Sequence, residues 1–297
     1  MEFTMEVKVL NDYIASIKEQ ILSMGVQSGD ILYVSSDMAG ILKRAQIDLG
    51  FRDKEGREQF LNALIDMLKD MVGSEGTLLF PMYNWDFCKG VRFCMKTTRS
   101  KVGALNNFIL ENRNDFKRTR HPLYSFMVAG KDADYLCSLD NQEAFGPNSP
   151  FAYLDKRPSK QLALGVDMAG GITFFHYVEQ LNNAPYRYHK IFIGEYEDLS
   201  GITEIRAYSQ YVRDLSIDYE YILADDFLKR KAGLVKKQIN GWQASVIILS
   251  DVKKAITDNL LDGAEEIYRI KNYDVRAGFK NQVKRYDVGS LRGYDKV

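Results

Sequence analysis

Apolar side chains recur at helical spacing near the start of the chain: Ile14, Ile17, Ile21 and Leu22 share one face across 13–24, with polar residues between them. The turn Ser28-Gly29-Asp30 follows. The apolar run Ile31-Leu32-Tyr33-Val34 then has the form of a buried strand, and Ser35-Ser36 leads into helix-compatible sequence over 37–42. Phe60, Leu61, Leu64, Ile65, Leu68 and Met71 predict a helix over 57–72, ended by Gly73-Ser74-Glu75-Gly76. Thr77-Leu78-Leu79-Phe80 predicts the next buried strand, stopped by Pro81.

The alternation continues along the chain. Helices are expected over 103–110, 173–181, 218–231 and 251–261, and extended segments over 125–129, 161–164 and 242–249. This is an α/β pattern whose short apolar strands belong in a covered central sheet. No Pro- or Ser-rich linker, internal repeat or low-complexity tract interrupts it, so one large domain is expected. From about Tyr268 onward the periodicity weakens and Tyr, Lys and Arg dominate, which reads as a peripheral C-terminal extension, 268–297.

Composition narrows the function classes. The 297 residues hold 40 Lys+Arg against 40 Asp+Glu, so no net field draws the chain to nucleic acid or to an anionic membrane, and neither is an expected partner. Three cysteines, an odd number, make a disulfide framework implausible and favour a reducing setting. The segment Met1 to Lys8 lacks the apolar core of a signal peptide, and stretches such as Val246-Ile247-Ile248-Leu249 are too short to span a bilayer. A soluble, cytoplasmic protein is expected. Among aromatics Tyr (18) far outnumbers Trp (2), which suits a sugar-like or ring-shaped ligand without showing one.

Common cofactor loops are missing. There is no Gly-x-Gly-x-x-Gly after a strand, and the Gly165 to Gly170 gap is followed by Gly171-Ile172 where a P-loop needs Lys and Ser/Thr. Neither Cys-x-x-Cys nor His-Glu-x-x-His occurs, so no metal is expected. With only three histidines, one local setting stands out: Thr173, His176 and Glu179 at i, i+3 and i+6 project from one side of a helix. A His is a fit general base because its reference pKa is about 6.5, and a carboxylate beside it can fix its tautomer. The plain alternative is a helix turn with a satisfied His and a solvated Glu.

Other candidates are weaker on their own. Val34-Ser35-Ser36-Asp37-Met38 carries a strand into a helix N-terminus and suits a phosphate, although Ser and Asp are also ordinary caps. Thr97-Thr98-Arg99-Ser100-Lys101-Val102-Gly103 is a hydroxyl-rich, basic helix start. Arg118-Thr119-Arg120-His121-Pro122 offers either a basic pocket or a surface charge cluster. Cys88, Cys94 and Cys137 have no neighbour in sequence that would create a thiolate and read as packing residues.

Taken in order, Gly29-Asp30-Ile31-Leu32-Tyr33-Val34-Ser35-Ser36, Gly76 to Pro81, Arg120-His121-Pro122 with Ser125, Phe145-Gly146-Pro147-Asn148-Ser149-Pro150-Phe151, and Leu164-Gly165-Val166-Asp167 leading into Thr173-x-x-His176-x-x-Glu179 resemble the aminoglycoside 3-N-acetyltransferase family. The match runs collinearly over roughly residues 10–265. Residues 84–105 look more like the members that accompany surface-polysaccharide (O-antigen type) amino-sugar pathways than like the drug-resistance members.

The resemblance implies a three-layer α/β/α sandwich with a central mixed sheet, with 1–267 as the acyl-CoA-dependent N-acyltransferase domain. It implies acetyl-CoA, or another short acyl-CoA, as donor and a primary amine on an amino sugar as acceptor. Carried over by position, Ser35 and Ser36 with the following helix start, helped by Ser100, Gly103 and Arg120, would hold CoA. Tyr83, Trp85, Asp86 and Asp167 would meet the acceptor. His176 would be the base, Glu179 its partner, and Thr173 or a backbone N–H a donor to the oxyanion formed at the thioester carbonyl. Direct transfer is favoured over an acyl-enzyme, and a homodimer is compatible with the resemblance.

Charge bears on the acceptor. Aminoglycosides are polycations and call for an acidic site, whereas this chain is neutral with Arg99-Lys101 and Arg118-Arg120 clusters that suit anionic ligands, so a nucleotide-linked amino sugar is favoured. Three readings stay open beside it: an aminoglycoside acetyltransferase conferring resistance, a metal-dependent hydrolase using His176 and Glu179 with His189 or His121, and a non-catalytic CoA- or sugar-binding module.

Overall fold

The computed structural model describes residues 7–281 and the backbone of 286–288; Met1 to Glu6 and the rest of the C-terminal segment lie outside the described residues. Amphipathic α1 (Val7–Leu22) precedes β1 (Ile31–Ser36), α2 (Met38–Leu49), α3 (Lys54–Val72) and β2 (Thr77–Tyr83). After β3 (Phe93–Cys94) come α4 (Ala104–Asn112), β4 (Lys117–Arg118), β5 (Tyr124–Gly130), α5 (Ala133–Ser138), α6 (Pro150–Asp155), β6 (Ser159–Leu164), α7 (Met168–Gly171) and α8 (Phe174–Leu181). A long hairpin, β7 (Arg187–Glu197) and β8 (Thr203–Arg213), leads to β9 (Asp218–Tyr221), α9 (Asp225–Ala232), β10 (Val235–Ile239), β11 (Trp242–Ile248), α10 (Leu249–Leu261), β12 (Tyr268–Lys271), α11 (Val275–Lys280) and β13 (Tyr286–Val288).

The main sheet has the order β10-β11-β6-β1-β2-β5-β4. Its centre, β6-β1-β2, is parallel, and antiparallel strands flank it on both sides, so the sheet is mixed. The continuous apolar run of β1 follows from burial on both faces. Leu32 and Val34 pack with α1, α2 and α3, whereas Ile31 and Tyr33 belong to the opposite core with α6, α8 and α10. Three layers result, as the resemblance implied.

Two expectations need correction. The helix expected over 218–231 begins only at Asp225, because Asp218-Tyr219-Glu220-Tyr221 alternates with period two and pairs antiparallel with β12. Pro81 does not stop β2, which runs on to Tyr83. Pairing of β2 with β1 ends at Leu79, so the N–H that Pro81 lacks is not needed there, while β5 stays in register to Tyr124. The β7–β8 hairpin lay outside the expected elements: its strands are largely polar and partly exposed, and β7 holds only the three-residue apolar run Ile191-Phe192-Ile193. Residues 268–280 pack on this part of the chain, with Tyr268 and Val275 buried.

The crossing from β6 to α7 is held close against the turn after β1. Gly165 sits there at φ +70, and a Cβ would lie 2.3 Å from the Asp37 carbonyl oxygen. Replacing Gly165 with Ala should therefore cost more than about 1 kcal/mol. By contrast, Gly40 within α2 has open space around its Cβ position, and Gly40→Ala should gain about 0.5–1 kcal/mol. Urea unfolding of the two variants checks the pair, and equal midpoints would contradict it.

Candidate active site

Helix α8 is pinned by the buried side chains of Phe174, Phe175, Tyr177 and Val178, which leaves Thr173, at its N-cap, and His176 to line a cleft of about 490 Å³. One turn after His176, Glu179 is fully buried, with its Oε2 2.7 Å from His176 Nδ1. A carboxylate accepts only, so Nδ1 carries the proton and Nε2 keeps the lone pair. The plain alternative of a solvated Glu is thus not what the fold adopts.

Glu179 is held from two further directions. Arg187, the first residue of β7, places Nε 2.8 Å from the same Oε2 in an ion pair, and the Tyr268 hydroxyl donates to Oε1 at 2.9 Å. Arg187 also donates to Tyr268 Oη at 3.2 Å. Burial opposes ionisation of Glu179, but the Arg187 charge and the hydrogen bonds from His176 and Tyr268 outweigh it and hold the carboxyl below its ordinary value. Desolvation, then the positive charge of Arg187, pulls the His176 imidazole below its usual pKa against the opposing pull of Glu179. The ring is one-third exposed, at 33%, and faces neutral pH as the free base.

The turn after β1 brings together part of the expected donor set. Asp37, not a serine, caps α2 by accepting from the Ala39 N–H at 3.0 Å. Ser35 Oγ lies 3.1 Å from Gln161 Nε2, while Ser36 Oγ is buried with no hydrogen-bond partner among the described residues. Gly103 sits at φ +75, and a Cβ there would fall 2.6 Å from Asn106 Nδ2 and 3.4 Å from the Ser36 carbonyl oxygen. Gly103 thus lets Asn106 pack close to the turn, and the orphaned Ser36 hydroxyl is the group there left to meet a polar ligand atom. Ser100, however, is buried and donates to Val102 O at 2.6 Å within its own loop. Arg120 lines a different cavity, beside Arg118 and Tyr196, and donates to Cys137 O at 3.1 Å.

Of the expected acceptor residues, Tyr83 lies nearest the cleft: its hydroxyl is 3.1 Å from that of Tyr33, and Thr173 interacts with both phenols. Trp85 donates to Tyr124 Oη at 3.2 Å, and Asp86 pairs with Lys101, whose hydrogen bond lowers the Asp86 carboxyl. Asp167 is exposed and accepts from Gln243 Nε2 at 3.0 Å. Trp85, Asp86 and Asp167 do not line the His176 cleft.

Arg118 is not part of a surface charge cluster. It is 4% exposed, donates to Ser125 Oγ, Met95 O and Thr98 O, stacks 4.8 Å over Phe93, and has its guanidinium lowered to about 10 by burial. Burial raises the thiols of Cys88 to about 12 and Cys137 to about 11, which suits packing rather than nucleophilic roles. Among the described residues no three His, Cys, Asp or Glu side chains converge as metal ligands: His189 Nδ1 meets Ser209 Oγ at 3.1 Å, and His121 is buried elsewhere. Among them also, no helix is long and apolar enough to cross a membrane.

Sequence reasoning missed Arg187, Arg213, Tyr219, Tyr221 and Tyr268, which complete the cleft wall. They come from β7, β8, β9 and β12 and form no motif. The Tyr-rich alternation around 219–221 was the available signal.

A family model described as aminoglycoside 3-N-acetyltransferase matches residues 51–257. No curated protein matches the sequence. Among solved structures, the chain is similar to sisomicin-bound AAC-VIa (20% identity, 82% of this chain and 96% of that one, TM-score 0.66). It is similar as well to AAC-IIIb in a binary complex with CoASH (18%, 84% and 96%, 0.67) and to YokD from Bacillus subtilis (19%, 84% and 99%, 0.65).

Away from the cleft, His121 is buried and accepts at Nδ1 from the Leu123 and Tyr124 amides, and burial lowers it to about 3. Its folded pKa lies below the unfolded 6.5, so its contribution to stability is full above pH 6.5 and is lost as pH falls from there toward 3. At full extent the loss is on the order of 5 kcal/mol. Denaturant unfolding between pH 7 and 4 should show a shallower decline in His121→Gln than in the unaltered protein; parallel slopes would contradict the assignment.

Proposed function

The chain belongs to the aminoglycoside 3-N-acetyltransferase family, and on that premise we propose that it transfers an acetyl group from acetyl-CoA to a primary amine of an amino sugar, with His176 as general base. The observation that carries the role of His176 is the hydrogen bond from its Nδ1–H to a buried, ionised Glu179, which leaves Nε2 free in the cleft. An alkyl ammonium has no lone pair, so the acceptor must lose a proton before it attacks a thioester, and Nε2 takes it; as the N–C bond of the amide forms the thioester C–S bond breaks, CoA leaves as its thiol, and one proton passes to solvent. Glu179 orients the ring and stabilises the imidazolium that forms. Thr173, with the Tyr33 and Tyr83 hydroxyls near it, faces the oxygen charge that develops.

Acetyl-CoA supplies the acetyl group when bound. The unpartnered Ser36 hydroxyl, on the turn beside Gly103, suits its polar groups, and the CoASH complex of AAC-IIIb is consistent with that donor. Ser35 lines the same turn through its contact with Gln161. The acceptor we favour is nucleotide-linked and destined for surface polysaccharide. An aminoglycoside is the second reading, favoured by the family description and by sisomicin in AAC-VIa. A cytoplasmic setting agrees with three free cysteines, and a homodimer is compatible with this reading.

Steady-state assays with acetyl-CoA separate the acceptors: turnover of UDP- or dTDP-amino sugars is expected, and turnover of kanamycin-type drugs alone would overturn the preference. His176→Ala should lower kcat by roughly 10²- to 10⁴-fold while leaving CoA affinity nearly unchanged; unchanged kcat refutes the base. Because the folded His176 pKa is depressed, the acid limb of kcat/KM should lie below pH 6.5. Removing the Arg187 charge in Arg187→Gln should move that limb upward, and an unmoved limb would show that Arg187 does not tune the base.

A further inference from the structure

The wall of the His176 cleft carries no carboxylate among the described residues. Its charged groups are Arg187, neutralised by Glu179, and Arg213 at the end of β8. Arg213 is exposed and forms no ion pair among the described residues; its guanidinium lies 4.8 Å over the ring of Tyr219. Tyr219 in turn packs 4.6 Å from Tyr268, and Tyr221 lies 5.6 Å from Tyr268, so one cation stands above a shelf of aromatic rings a short way from His176. The other arginines near substrate motifs are engaged: Arg99 with Glu111, and Arg118 with backbone and Ser125.

A polycation would meet repulsion and no compensating carboxylate in this cleft, whereas an anion would meet a guanidinium with its fork free. At about 490 Å³ the cleft holds a sugar ring and a phosphate together. We propose that Arg213 binds a phosphate of one of the two substrates while the exposed Tyr221 ring, backed by the buried Tyr219 and Tyr268, packs against the attached ring. This rests on the reading of the cleft as an N-acetyltransferase site. The phosphate belongs either to a nucleotide-linked acceptor or to CoA, since α7, which lines the cleft, also reaches the donor turn: a Cβ on Gly171 would sit 2.9 Å from Ser35 Oγ.

Calorimetric titration of UDP-glucosamine, free glucosamine and CoA into the unaltered protein, Arg213→Ala and Arg213→Lys tests this. A charge-assisted contact of ordinary strength predicts roughly ten- to hundredfold weaker binding of one phosphate-bearing ligand to Arg213→Ala, partial recovery with Lys, and no change for glucosamine. Weakened UDP-glucosamine assigns the phosphate to the acceptor, and weakened CoA assigns it to the donor. Unchanged binding of both, or no binding of either to the unaltered protein, overturns the proposal. Failure of the catalytic reading looks different: Arg213-dependent binding persists while acetyl-CoA acetylates no amine. Thermal unfolding of both variants confirms that an exposed substitution leaves the fold intact.

Discussion

A buried carboxylate governs this site. Glu179 has no exposed surface, and an ionised carboxylate in that position is sustained only by close opposite charge and hydrogen-bond donors. Arg187, Tyr268 and His176 supply them at 2.7–2.9 Å. Each partner comes from a different element, so the requirement to satisfy one side chain fixes β7 and β12 against α8 and sets the orientation of the imidazole at the same time.

That arrangement explains why the His176 imidazole is neutral rather than cationic. Beside an isolated carboxylate an imidazole would be pulled toward its charged form. Here the Arg187 charge behind Glu179 and the loss of bulk water work the other way, and they prevail. The pair therefore combines a fixed tautomer with a free lone pair, which proton abstraction from an ammonium demands. The sheet contributes the rest: β1 delivers Ser36 and the start of α2 at its C-terminal end, while β6 delivers α7 and then α8 beside it. The turn after β1 and the His176 cleft thus meet at the ends of adjacent parallel strands, where open α/β sheets place their ligands.

How much of this the sequence carried depends on the range of the signal. Strands such as Ile31 to Val34 and helices such as α3 and α10 announce themselves by burial pattern, and the Thr173, His176, Glu179 spacing is local to one helix, so both were legible. The partners of Glu179 were not. Arg187 lies eight residues on and Tyr268 eighty-nine residues on, and nothing local marks either as facing a carboxylate. Pro81 and the 218–221 strand misled for a related reason, since whether a missing N–H matters and whether tyrosines alternate into a core depend on neighbours remote in sequence. Ser100 and Arg120 show the converse, as polar residues in suggestive motifs turn out to bond within their own surroundings.

The central claim is that a buried network holds His176 as a neutral, Nδ1-protonated base. With only three histidines in the chain, NMR titration of the isotopically labelled protein reads it directly. The account predicts an Nδ1–H tautomer at neutral pH and a midpoint for His176 below 6.5. An Nε2–H tautomer, or a midpoint at or above 6.5, would contradict it.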